Sequence, residues 1–455
     1  MRVKQELFEL PVKKAMVKFV APCILSQLVT MIHSLADTFF VGQTGDPNQV
    51  AGLALCFPIF MLTMAVGNLF GIGANSMVSR LLGMKKPQRA KNISAFAIWV
   101  SCCVIAAASA ALAVFMRPVL TAVGAKPETY GYARGYLIWV FVIGGIPTVF
   151  ELVLANLLRA EGCARQTSIA LGAGGLLNTV LDPIFIFVFK LGAVGAGIAT
   201  FIANVFSLAC LIGIFVKNRG ETVLSLSPKN LRASSAEIRE MLFIGMPSFL
   251  SVILGSTANS TLNHYMTAYG TVNMAAYGIV QKIGNLTIQI TVGVASGIMP
   301  LLGYHYAAKN GDRVREICRA STFLIAGYTV LCILLYELLA EFLVRLFIDD
   351  GETVRIGAQF MRRWIFSAPG MCFVQLYNAI FQSMGKWKQS LFLSVMRQAG
   401  FLIPLLIILN RVIGMYGLVF AQPIADTVTL VIGAILYFKT ARPELMSMKG
   451  SSVTV

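Results

Sequence analysis

Charge is scarce in this sequence: 13% of its 455 residues are Asp, Glu, Lys or Arg, while 57% are hydrophobic. An ordinary soluble domain is about a quarter charged. A large soluble fold still exposes roughly a quarter of its chain's surface, so it cannot hide this much apolar area. The expected solvent is therefore lipid. Histidine is scarcer still, with His33, His264 and His305 at no metal-ligand spacing, which argues against a zinc site. There is no CxxC among the nine cysteines, which mostly sit inside apolar runs and read as small core residues. No GxSxG or comparable nucleophile–base pattern occurs, so an integral-membrane enzyme is the weak alternative. Nor is there a cleavage pattern in MRVKQELFELPVKKAMVKF, which does not read as a removable signal peptide.

What is present is a succession of apolar runs near or above the roughly 18 residues that mark a spanning helix. Breaks of charge or turn residues divide them into twelve spans near 16–41, 50–80, 93–116, 131–158, 165–189, 194–216, 237–267, 272–304, 314–340, 356–382, 389–409 and 415–438. The net charge of +17 does not imply nucleic acid, because the basic residues fall in the short segments between runs. Lys85, Lys86, Arg89 and Lys91 form one such cluster, and Lys309, Arg313, Arg315 and Arg319 another, while Gln43–Val50 carries none. By the positive-inside rule both termini are cytoplasmic. A multi-pass protein of a bacterial inner membrane, monomeric and in contact with lipid, is the expectation.

The sequence also repeats. GANSMVSRLLG matches GVASGIMPLLG at an offset of 220, LLRAEGCARQ matches IFQSMGKWKQ at 223, and KLGAVG matches RVIGMYG at 222. Three matches in order at nearly one offset predict an all-α membrane fold of two six-helix lobes, 1–216 and 237–455 with its C-terminal tail, joined by a cytoplasmic linker loop at 217–236. Six spans per unit is an even number, so the repeat is parallel, with a pseudo-twofold axis along the membrane normal and a central cavity between the lobes. That plan is a transporter's.

Ionisable groups within spans are costly and mark function by default. At depth the acids are Asp37, Glu151, Asp182 and Asp426. Asn178 lies one turn before Asp182, so both share a helix face. Thr200 in the sixth span adds a hydroxyl, with Asn204 one turn further on. Two carboxylates, an amide and a hydroxyl form a hard-oxygen set suited to a proton or sodium ion. The plainer readings are a surface role for Asp37 at a helix end and a capped structural role for Asp182. Glu151 reads equally as a cavity residue or a helix-packing one. Lys282 and Arg397 read as partners of polar groups between helices, or as substrate or gating residues. At the repeat offsets Asp182 falls on Pro404 and Asn178 on Gly400, so the acid site belongs to one lobe.

ADTFFVG after a first helix containing Pro22, then LLRAEG, NTVLDPIF and GAVGAGIAT, and in the second half GMPSFL, QSMGKWKQS and VMRQAGFLIP, together resemble the multidrug and toxic compound extrusion (MATE) family over essentially the whole chain. The resemblance implies an N-lobe cation site at Asp37, Asn178, Asp182 and Thr200. It also implies a proton- or sodium-coupled antiporter that exports hydrophobic, often cationic organic compounds by alternating access, with no cofactor. Asp37, Asp182, Asn204 and Glu151 are then the candidate cavity residues and Pro22 the hinge. NorM-type members carry acids on helices seven and ten. SVILGSTANS and MCFVQLYNAIFQ supply none, which places the chain nearer the DinF- and MepA-like branch. A lipid-linked precursor flippase of the same superfamily is the rival reading. It calls for a strongly cationic cavity, whereas only Lys282 and Arg397 are basic at depth here.

Overall fold

A computed structural model describes residues 2–448, with side chains from Glu6 onward except those of Ser34, Asp37 and Thr38. A short helix, Arg2–Glu9, precedes twelve longer helical elements. The first half holds α1 (Val12–Gly42), α2 (Pro47–Gly83), α3 (Pro87–Val114), α4 (Pro127–Ile143 then Gly145–Ala160), α5 (Ala164–Val188) and α6 (Gly192–Lys217). Between Lys217 and Ser235 lies only the 3-10 turn Pro228–Asn230. The second half holds α7 (Ser235–Thr267), α8 (Thr271–Ala307), α9 (Gly311–Arg345), α10 (Gly351–Trp364 then Ala368–Ser383), α11 (Trp387–Ile413) and α12 (Met415–Ser447). No strand occurs among the described residues.

Apolar side chains facing hydrocarbon leave no water to satisfy the backbone, so each spanning segment must close its own hydrogen bonds as a helix. Ten of these helices are long and apolar enough to cross a bilayer, and the two pieces of α4 together make an eleventh. The remaining expected span, 356–382, is present as α10 but falls short on that measure. Its first piece, GETVRIGAQFMRRW, is amphipathic, and a 3-10 turn at Ile365–Ser367 breaks it from the second.

The break in α10 has a counterpart. α4 bends by 48° around Gly144, which the repeat offset carries onto the 3-10 turn of α10. Pro147 and Pro369 follow these breaks at an offset of 222. Each ring fixes φ and removes a backbone donor just inside a new helical segment, where the missing N–H costs least. The same local chemistry thus marks the interruption of the fourth helix in each half.

Outside the spans, helix starts are set by ordinary capping. Asp46 accepts the Asn48 backbone N–H at 2.9 Å ahead of α2, and this bond holds its carboxyl below the usual range. Ser234 and Glu237 form a reciprocal capping box at the start of α7, and Glu237 also pairs with Arg89 of α3.

The two halves meet along one end of α1, α2, α7 and α8, the end that carries the basic loops. Glycine permits the closest approaches. A methyl group on Gly245 of α7 would lie 1.8 Å from the Leu69 carbonyl of α2, and one on Gly297 of α8 would lie 2.6 Å from the Val20 Cα of α1. Arg80 of α2, largely buried, binds Glu240 of α7 at 2.8 Å across the same seam. Ser76 of α2 donates to the Gln382 carbonyl of α10 at 2.6 Å. His305 of α8 contacts the Phe8 carbonyl through Nε2 at 3.0 Å, which ties the N-terminal helix to the second half. No disulfide forms among the described residues.

Candidate functional site

α5 is the centre of the candidate site because its small residues let two neighbours approach. A methyl on Gly175 would lie 3.1 Å from Val29 and 3.9 Å from His33 Cβ, both of α1. A methyl on Gly174, on the adjoining face, would overlap Ser207 Oγ of α6 at 1.7 Å. Further along, a methyl on Gly195 of α6 would lie 2.7 Å from the Phe185 carbonyl. Gly174 against Ser207 and Phe185 against Gly195 define an antiparallel register that sets Asp182 level with Ile198 and Ala199, within one turn of Thr200.

Asn178 and Asp182 are both fully buried on α5. The Asn178 Nδ2 amide lies 2.6 Å from His33 Nδ1 on α1. An amide nitrogen only donates, so in this contact the ring nitrogen accepts. Thr200 donates its hydroxyl to the Ala196 carbonyl at 2.9 Å, which leaves its oxygen lone pairs for another partner. After Pro183 the helix passes into a π-helical stretch, Ile184–Val188. Such stretches recur where a helix is reshaped for function.

The remaining sequence candidates lie where α6 meets α4. Asn204 donates to Thr148 Oγ1 of α4 at 2.8 Å. Glu151 of α4 is buried, with Ser207 as its hydrogen-bonding neighbour. These contacts favour the packing reading of Glu151 over direct exposure to a cavity. Through Ser207 they still connect α4 to the Gly174 face of α5. Asp37 lies four residues beyond His33 on the same helix, and its side chain falls outside the described residues.

Two expectations need amending. His33, set aside for lack of zinc-ligand spacing, is in contact with Asn178. The signal was its place one turn before Asp37, which puts both on one face of α1. Lys282, expected to satisfy a polar group between helices, is exposed on α8, with no hydrogen bond or ion pair among the described residues. Arg397 does have a partner, Asp426 of α12, with Nε to Oδ1 at 2.7 Å.

Comparison with known proteins places this arrangement. The MatE family model matches residues 22–184 and 247–408, one copy for each half, each copy starting on a proline. The multidrug export protein MepA of Staphylococcus aureus is 29% identical over 419 residues, covering 92% of this chain and 91% of that protein. MepA of Staphylococcus saprophyticus is 28% identical over 418 residues, with 91% of each covered. Among solved structures, an outward-facing multidrug resistance MATE transporter of the MOP superfamily superposes with a TM-score of 0.89 at 24% identity over 98% of both chains. The Vibrio cholerae MATE transporter VcmN in its bent form gives 0.85 at 22% identity, covering 98% of this chain and 99% of that one.

Proposed function

The chain belongs to the multidrug and toxic compound extrusion family, and from that premise we propose that it is a proton- or sodium-coupled antiporter exporting hydrophobic, often cationic organic compounds. Coupling runs through Asp37, Asn178, Asp182 and Thr200, with His33 beside them, and no cofactor takes part. The observation that carries this reading is the full burial of Asp182 and Asn178 in an apolar span, with the amide in contact with His33 of α1. An ionised acid at that depth demands a partner cation. A cationic substrate and a small coupling cation are then competitors for one negative charge. Occupancy by one lowers the affinity for the other, which is what exchange requires.

The lobes 1–216 and 237–455, joined by 217–236, rock about the site, with both termini in the cytoplasm of a bacterial cell and the protein monomeric in its inner membrane. The seam at the basic end, Gly245 on Leu69 and Arg80 on Glu240, holds that end together in the state seen here. Asp37, Asp182 and Asn204 face substrate at some stage of the cycle, with Glu151 packed behind Asn204. Pro22 is the hinge of α1. The energy scale suffices, since each charge crossing 100 mV gains about 2.3 kcal/mol. Proteoliposomes loaded with a fluorescent organic cation test the proposal, with an imposed pH gradient and then an imposed sodium gradient. Export against a concentration gradient under at least one is expected. Export that depends on neither ends the antiport reading.

A further inference from the structure

The second half carries one charge pair at membrane depth that the proposed coupling site does not use. Asp426 of α12 is 1% exposed and receives Arg397 Nε at 2.7 Å on one oxygen and Gln422 Nε2 at 3.0 Å on the other. Arg397 stands in the π-helical stretch Met396–Leu402 of α11. α10 closes the site through Gly370, where an added methyl would lie 2.5 Å from the Asp426 carbonyl carbon and oxygen. Tyr277 of α8 and Cys372 of α10 lie within electrostatic reach of the carboxylate. On the α7 side the neighbour is uncharged, Gln398 packing on Gly255. Among the described residues, Arg397 is thus the one cation bonded to Asp426.

The repeat shows what is particular about the pair. At the same offset of 222 Asp426 corresponds to Asn204 and Arg397 to Gly175. In the first half these positions hold an amide bonded to Thr148 and a glycine packed on Val29 of α1. The second half therefore has an acid and a base together where the first has neither. A carboxylate buried in a bundle needs a cation, and three kinds serve: a proton, a small metal ion or a fixed base. Protons and metal ions exchange with solvent. A guanidinium does not lose its proton, and its side chain cannot leave.

We propose that Arg397 is a tethered cation filling a latent cation site at Asp426, which keeps the second half out of ion exchange and confines coupling to the first. The inference rests on the cation-coupled reading above. It assigns Asp426 an ion-pair role that persists through the transport cycle. Removing the guanidinium opens a second exchangeable site, for a proton or an alkali cation, in a half that otherwise has none.

The test uses purified full-length protein in lipid nanodiscs, comparing wild type with Arg397→Gln, Asp426→Asn and the double variant. Two quantities are measured: exchangeable cations per molecule, from proton release on a pH jump and from radioactive sodium binding, and the infrared band of a protonated carboxylic acid. Arg397→Gln should gain one exchangeable cation over wild type, with a new carboxylic band when the cation is a proton. The double variant should lose both gains and return to the wild-type count. An unchanged count in a folded Arg397→Gln overturns the proposal. Should that variant fail to fold, the charge-neutral double variant decides, because a count one below wild type means that Asp426 already exchanges. A wild type with no exchangeable cation at all defeats the coupling reading instead, and the difference between variant and wild type still reads the latent site.

Discussion

At the scale of single residues, rarity was the signal. Asp182 stood out because a carboxylate inside NTVLDPIF has no inexpensive place in hydrocarbon, and the structure buries it completely beside Asn178. Asp182→Asn should abolish gradient-driven export while leaving expression and folding near wild type. It keeps volume and hydrogen bonding and removes only the ionisable group. Wild-type rates in reconstituted vesicles would remove Asp182 from the coupling role. His33 was harder to read, because a lone histidine in an apolar run offers no spacing to interpret. Its meaning lies in a contact with a residue 145 positions away. His33→Ala removes this acceptor from the Asn178 amide, and one intramolecular hydrogen bond contributes about 0.5–1.5 kcal/mol. The variant should melt at lower temperature and lose ion-dependent stabilisation, whereas His33→Gln, which keeps an acceptor, should recover the melting temperature. Equal melting of wild type and His33→Ala would show the contact to be idle. The pairing of Arg397 with Asp426 was likewise illegible from sequence, since two partners 29 residues apart on different helices declare themselves only when the helices pack.

At the scale of elements, the helices were legible because apolar length decides them, and their breaks less so. From sequence 131–158 and 356–382 are plain spans; the structure bends the first by 48° and breaks the second with a 3-10 turn, each just ahead of a proline, Pro147 and Pro369. Pro22 was read directly, and it sits inside α1. Proline within a helix costs about 3 kcal/mol relative to alanine, so a transporter that keeps it spends stability on bending. Pro22→Ala should therefore raise the melting temperature and slow export together. Spin labels at the two ends of α1 should show a smaller change in distance between low and high pH than in wild type. A faster transporter, or an unchanged pH-dependent distance, would exclude the hinge. A second element-scale test lies outside the membrane, at the start of α10. There the Thr353 hydroxyl and backbone N–H hold the Asp350 carboxyl below its ordinary range. A depressed folded pKa stabilises the helix start above the unfolded value of about 3.9 and is lost as pH falls through the folded one. Amide exchange at Gly351–Val354 should accelerate in that acid window, and Asp350→Asn, still a good cap, should flatten the dependence.

At the scale of the whole molecule, the repeat announced two halves, but how they close on each other had to come from the structure. GANSMVSRLLG and GVASGIMPLLG were noticed as similar strings, and both lie on helices that line the seam. Two kinds of contact hold that seam, and magnitudes separate them. The Arg80–Glu240 pair has one partner 42% exposed, and pairs with such access to solvent are worth about 0–1 kcal/mol. Removing it with Glu240→Ala shifts the balance between closed and open seams by no more than roughly fivefold. Gly245 is different, because its missing side chain is what lets α7 reach the Leu69 carbonyl. Overpacking a tight contact costs about 1–3 kcal/mol or more, so Gly245→Leu should shift the same balance by roughly 5- to 150-fold toward an open basic end. Distances between spin labels on the basic ends of α2 and α7, measured in nanodiscs, report both variants on one scale. The expected order is a wide separation in Gly245→Leu, a minor second population in Glu240→Ala and a single short distance in wild type. The reverse order would mean that charge, and not backbone proximity, holds the seam shut.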